Sequence, residues 1–340
     1  MVRLLLIRHA QSEQNAYMEK LIQELKNGTS NAKDFNAKMR NGPEGTHGGA
    51  DAKLTSLGFT QADRLGRTYT PLLLNKAKQG KLKVFVSPFT RCLHTADPLL
   101  RSISTEIPSF KATILPAIME SGGLADKKDF AQFNQIEGLI KQGKRKEAIQ
   151  VLKAIRWKPQ GKSGQDILQQ FPWATLDHDT NALITNGVSV SPWAAITNSA
   201  TPWWKFGFES TKRAEKRIRA VGEWITSSLC ENASGESSDE HVVVFVCHGG
   251  TIQELTNLLC NYGVTGTKDQ QHSIDFGAIR NTSVTSIVVP SSKYKYQGER
   301  PNSKGQIDRY RVKLEQMNDS SHLQDEQLRF WANYVLNAKL

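Results

Sequence analysis

Leu4-Leu5-Leu6-Ile7-Arg8-His9-Ala10-Gln11 sets a short unbroken apolar run against an abrupt polar end. Extended back to Val2, the run reads as a strand buried on both faces that opens onto a loop at its C-terminal edge. Downstream, Ala16, Met18, Leu21, Ile22 and Leu25 recur at helical spacing between Asn15 and Lys26, and Asn27-Gly28 stops that helix. After a polar loop from Thr29 to Ala52, the spacing of Leu57, Ala62, Leu65, Tyr69, Leu72 and Leu73 predicts a helix over 56–78, which Pro71 should kink or break. Leu82 to Val86 repeats the buried-strand pattern, and Ser87-Pro88 leads into a helix carrying Arg91, Leu93 and Ala96. Strand, helix, strand, helix in this order predicts a mostly parallel sheet covered by helices, with ligands outside the carboxyl ends of the strands.

Further along, Ile114 to Met119 reads as a third strand ending at Glu120 and the turn Ser121-Gly122-Gly123. Two helical stretches, Lys127 to Lys141 and Arg145 to Ile155, then precede an irregular region containing Trp157, Trp173, Trp193, Trp203 and Trp204. This region is too long for a connection and too aromatic for a linker, so an insertion over residues 121–208, folded across the sheet as a cap, is expected. The tryptophans are read as packing within that cap rather than stacking on a substrate. Ser210 to Ser228 returns to helix, with Lys212, Arg213, Lys216, Arg217 and Arg219 expected on a solvated face. Val242 to Val246 is the most apolar strand and runs into Cys247-His248-Gly249-Gly250; Ser283 to Val289 is a last core strand. The remainder, 291–340, reads as a C-terminal extension with an edge strand at Ile307 to Leu314 and an amphipathic helix at Leu323 to Leu336. The expected architecture is thus one α/β domain over 1–340: three layers, a central mostly parallel sheet flanked by helices, and a cap-like insertion.

Composition bounds the partners. With 340 residues, 38% hydrophobic and 23% charged, the chain can bury a core, which excludes a disordered or collagen-like protein. No run approaches the roughly 18 apolar residues of a membrane span, so neither a span nor a signal peptide is expected. Four irregularly spaced cysteines fit reduced thiols in a cytoplasmic or nuclear setting. A net charge of +11 favours anionic partners. Its basic residues are scattered without interleaved aromatics, which argues against nucleic acid and leaves small phosphorylated substrates or a protein phosphate.

Three predicted strand ends carry polar groups, namely Arg8-His9, Glu120 and His248, and Arg91 lies one turn into the helix after the second strand. In an open α/β sheet these converge on one crevice. Taken singly each is an ordinary residue; together they suit phosphoryl transfer, because arginine pairs with phosphate oxygens and neutral imidazole is a nucleophile. Two arginines beside two histidines oppose a divalent cation, so no metal and no cofactor is expected. Asp177-His178-Asp179 has ligand-like spacing but no fourth ligand nearby.

On these residues, and on Gln11-Ser12-Glu13-Gln14-Asn15, Leu54-Thr55-x-x-Gly58-x-x-Gln61-Ala62 and Ser87-Pro88-x-x-Arg91-x-x-x-Thr95-Ala96, the sequence resembles the histidine phosphatase superfamily. The resemblance implies that His9 is the phosphorylated nucleophile, that Arg8, Arg91 and His248 hold the phosphoryl group with Asn15 lining the pocket, and that Glu120 protonates the leaving group. His248 is expected to be protonated, adding its charge to that of the arginines. The family usually has glycine where Ala10 stands and often serine where Cys247 stands. Glycolytic mutases of the family have an aromatic residue in place of Gln14 and a Gly-Trp loop soon after, both missing here. These departures favour a phosphomonoester hydrolase over a phosphoglycerate-mutase-type phosphotransferase. A non-enzymatic phosphate-binding scaffold is a third alternative, against which stands the complete set of nucleophile and acid.

Overall fold

The computed structural model describes residues 1–31, 33–35, 38, 51–120, 135–136, 138–154, 160–176, 200, 202–204, 209, 211–226, 240–260, 279–289 and 312–323. Its elements in chain order are β1 (Val2–Arg8), α1 (Glu13–Lys26), α2 (Ser56–Lys78), β2 (Leu82–Val86), α3 (Thr90–Glu106), β3 (Ala112–Ile114), α4 (Arg145–Ala154), β4 (Gln160–Ser163), α5 (Gly164–Gln170), β5 (Ala174–Thr175), β6 (Pro202–Trp204), α6 (Thr211–Trp224), β7 (His241–Cys247), α7 (Gly249–Cys260), β8 (Val284–Val289) and β9 (Lys313–Asp319).

Seven strands form one sheet in the order β5-β3-β2-β7-β1-β8-β9. The first five run parallel, and β8 and β9 add two antiparallel strands at one edge. The mostly parallel α/β architecture expected from the sequence is therefore observed. Alternation along the central strands divides the core into two. Leu5, Ile7, Val84, Val86, Val244 and Val246 pack with α2 and α3, while Leu4, Leu6, Phe85, Val243 and Phe245 pack with α6 and α7. Both faces of each central strand are thus removed from water, at about 1.5–3 kcal/mol for each large aliphatic side chain, which is why these strands read as continuous apolar runs.

Several boundaries differ from the expectation. The third strand ends at Ile114, and a 3-10 turn over Pro116–Ile118 follows instead of continued strand, because Pro116 has no N–H for a ladder. Helix α2 passes through Pro71 without ending, since the proline lies on the exposed side where water can meet the carbonyl it leaves unpaired. Among the described residues the edge strand runs over Lys313–Asp319, overlapping the end of the expected Ile307 to Leu314, of which 307–311 lie outside the described residues. Arg217 is not on a solvated face: it is fully buried, paired with Glu209. Trp173, also buried, donates from Nε1 to Asp97 at 2.8 Å and packs against Phe171; it belongs to the main core beside β5 of the central sheet, not to the interior of a cap as expected, because the chain here joins the sheet edge. Trp157, Trp193, Cys230, Asp177-His178-Asp179 and the terminal helix lie outside the described residues. Among the described residues no helix is long and apolar enough to cross a membrane.

Candidate active site

Strand register builds the site. Arg8 lies opposite Cys247, and Val86 opposite Val246, so the next residue on each of three adjacent strands, His9, His248 and Ser87, emerges at one edge. Backbone bonds from His9 N to Cys247 O (2.9 Å) and from Ser87 N to Val246 O (3.0 Å) carry the ladder to that edge. The two imidazole centroids are 5.3 Å apart, and both rings are buried.

Arg91 joins them. Its Nε donates to His9 Nε2 and its Nη2 to His248 Nδ1, each at 3.2 Å, while its guanidinium lies 4.2 Å from the Phe89 ring centre. On the far side, His9 Nδ1 donates to its neighbour's carbonyl, Ala10 O, at 2.7 Å, and His248 Nε2 donates to Ser87 Oγ at 2.9 Å. These partners assign opposite tautomers: His9 carries its proton on Nδ1 and keeps a lone pair on Nε2; His248 carries its proton on Nε2. Burial, followed by the charge of Arg91, pushes both imidazoles well below their ordinary pKa. Burial beside two guanidinium groups thus works against the imidazolium expected at His248, which would be stripped of water there.

Arg8 donates from Nη1 to Ile279 O, and burial lowers its pKa. Among the described residues, Arg8 Nε and Arg91 Nη1 are buried without a hydrogen-bond acceptor. Leaving such donors unmet costs about 1–3 kcal/mol each, and more when charged, so the pair is built for an anion. Glu120, partly exposed, lies with Oε2 4.0 Å from His248 Nδ1 and is the largest opposite charge acting on Arg8. The structure thus brings His9, Arg8, Arg91, His248 and Glu120 together. Asn15 sits in the first turn of α1, where its Oδ1 accepts from Ser12 N (3.1 Å) and Ser12 Oγ (3.0 Å) in the capping box.

Around this set stands a group of supports given no role by the sequence, of which Gln11, Gly58, Gln61 and Thr95 stand in the quoted motifs and Glu19 and Asp51 do not. Thr95 Oγ1 accepts from Ala10 N at 2.9 Å and donates to Arg91 O at 2.6 Å, tying the His9 loop to α3. Gln61 Oε1 accepts from Gln11 N at 2.9 Å, and Gly58 leaves room for Gln11 O, which a side chain there would strike. Glu19, buried and accepting from Gln11 Nε2 at 2.7 Å, has its pKa pushed up to about 7 by desolvation. Asp51 accepts from Thr90 N (2.6 Å) and Thr90 Oγ1 (2.5 Å), capping α3 where Phe89 offers no side-chain cap. Cys92 and Cys247 are buried thiols whose pKa burial raises, a packing role. Among the described residues no group of His, Cys, Asp and Glu has the arrangement of a metal site.

A mostly parallel α/β sheet with a buried histidine–arginine pocket at its strand ends defines the class of protein. Residues 4–121 match the family model of the histidine phosphatase superfamily (branch 1), in agreement with the resemblance read from the sequence. No curated protein matches the sequence. Among solved structures, the chain is similar to a mycobacterial glucosyl-3-phosphoglycerate phosphatase (18% identity, 94% of this chain and 99% of that one, TM-score 0.44). It is also similar to the ecdysone phosphate phosphatase of Bombix mori (17%, 85% and 89%, TM-score 0.41) and to a phosphoglycerate mutase from Bacillus anthracis (15%, 96% and 96%, TM-score 0.40). Likeness at this level bears on neither activity nor substrate.

Proposed function

We propose that the chain is a phosphomonoester hydrolase acting through a phosphohistidine on His9, with Glu120 as acid and then base. The observation that carries this reading is His9 Nε2, held by Arg91 Nε at 3.2 Å, in a pocket where Arg91 Nη1 and Arg8 Nε are buried donors with no acceptor among the described residues; burial disfavours the His9 imidazolium. A phosphoryl dianion would supply the missing acceptors and be held at the nucleophile. His9 Nε2 then bonds to phosphorus as the bond to the substrate oxygen breaks, and that oxygen takes the Glu120 proton. In the second step water attacks phosphorus, gives a proton to Glu120, and the phosphorus–Nε2 bond breaks to release phosphate. His248 serves in the phosphate pocket as the partner that fixes Arg91. Asn15 lines the pocket through its Nδ2, its Oδ1 being committed to the cap. In the same reading residues 121–208 cap the site and the substrate is a small phosphorylated molecule.

The test is a panel of phosphorylated small molecules, with and without a bisphosphoglycerate primer. Hydrolysis of one or more monoesters, inhibited by vanadate, is expected, with negligible interconversion of phosphoglycerates. Primer-dependent interconversion faster than any hydrolysis would overturn the hydrolase reading in favour of a mutase.

A further inference from the structure

Glu120 is the last residue before the 121–208 segment, and Glu209 is the first after it. Both ends of that excursion are held by one side chain. Arg217 of α6, fully buried, donates from Nε to Glu209 Oε1 (2.9 Å) and from Nη2 to Glu209 Oε2 (2.6 Å) in a two-pronged pair. Its remaining nitrogen, Nη1, donates to Ala117 O (2.7 Å) and to Met119 O (3.1 Å). Met119 O also accepts from Thr251 Oγ1 of α7 at 2.9 Å. The Met119 carbonyl belongs to the peptide plane from which Glu120 projects, so two helices fix that plane through side-chain donors.

Helix packing alone does not call for this arrangement, because well-packed apolar residues in place of a buried ion pair are commonly neutral or stabilising. What the pair adds is direction: a planar fork locked by a carboxylate can hold carbonyls that a hydrocarbon cannot. The carboxylate so directed has little latitude. A Cβ at Gly250 would lie 2.7 Å from Glu120 Oε1, and Oε2 stands 4.0 Å from His248 Nδ1. We propose that Glu209 and Arg217 are positioning residues for Glu120, clamping both ends of the 121–208 segment so that the acid meets the leaving-group oxygen. This rests on the reading of Glu120 as the proton donor.

The test compares kcat/KM for nitrophenyl phosphate, whose leaving group needs little protonation, with an alkyl phosphate, whose leaving group needs it. In Glu209→Gln and Arg217→Lys, alkyl phosphate turnover should fall about tenfold or more beyond any loss with nitrophenyl phosphate, and the same selectivity should be absent when either change is added to Glu120→Gln. Thr251→Val, which removes the second donor to Met119 O without touching the ion pair, should show a smaller selective loss and keeps the test open if the ion-pair variants do not fold. Equal loss on both substrates, or a further selective loss in the Glu120→Gln background, would overturn the positioning role while leaving Glu120 as acid intact. Absence of selectivity in Glu120→Gln itself would overturn the acid assignment and the clamp with it.

Discussion

His9 and His248 flank the same guanidinium yet hold their protons on opposite ring nitrogens. The difference follows from what each ring meets on its far side, a carbonyl for His9 Nδ1 and a hydroxyl for His248 Nε2. Under the proposed phosphohistidine mechanism, Nε2 of His9 would be the attacking atom and would need no deprotonation. Because desolvation and two guanidinium groups disfavour the imidazolium, both pKa values lie below the ordinary 6.5. At pH 6.5 a free imidazole is half protonated, and both of these are shifted from that balance toward the neutral form. Imidazole 15N–1H correlation spectra at pH 6.5 should therefore show His9 as the Nδ1–H and His248 as the Nε2–H tautomer. An imidazolium signal from either at that pH would contradict the assignment. Little of this was legible in the sequence, which marks both histidines as strand-end residues but says nothing of their protons; the expectation of a protonated His248 counts its attraction to phosphate, and burial beside Arg8 and Arg91 works against it.

At the scale of elements, the site depends on how closely the His9 loop meets the start of α2. Gln11 O lies where a Gly58 side chain would go, Gln61 Oε1 accepts from Gln11 N, and Thr55 both caps the helix and donates to Gln11 Oε1 at 2.7 Å. The obstacle to a larger residue is backbone, which cannot swing aside. Gly58→Ala should therefore destabilise the fold by about 1–3 kcal/mol, read as a lowered midpoint in urea or thermal unfolding, and should loosen the His9 loop with it. An unchanged midpoint would show that the loop can shift freely and that its register is not fixed by α2. Elements of this kind were legible in outline: buried parallel strands give unbroken apolar runs, and helices give the 3.6-residue repeat, so β2 and α2 fall at the predicted residues. Arg217 had a signal that its basic neighbours obscured: it lies three residues after Ala214 and four before Val221, on the buried stripe of the helix, whereas Arg213, Lys216 and Arg219 are exposed. Asp51 was not legible, since the helix it caps begins far along the chain.

Over the whole molecule, five of the seven strands run parallel with aligned carboxyl ends, and it is this alignment that converts residues distant in sequence into one pocket. The sequence order of the motifs is legible as a family resemblance because each motif supplies one strand end or the helix behind it. Distances between strands were not, since register is settled by packing across the sheet. A net charge of +11 surrounds the pocket with a field that favours anions, in keeping with two arginines at its base. The central claim is that a phosphoryl group passes through His9. Its most direct measurement is a rapid alkaline quench during turnover of an activated aryl phosphate, followed by mapping of the acid-labile, base-stable phosphoryl group by mass spectrometry. A phosphohistidine at His9, absent in His9→Ala protein that still folds and no longer turns over, is the predicted result; full turnover by His9→Ala would contradict it.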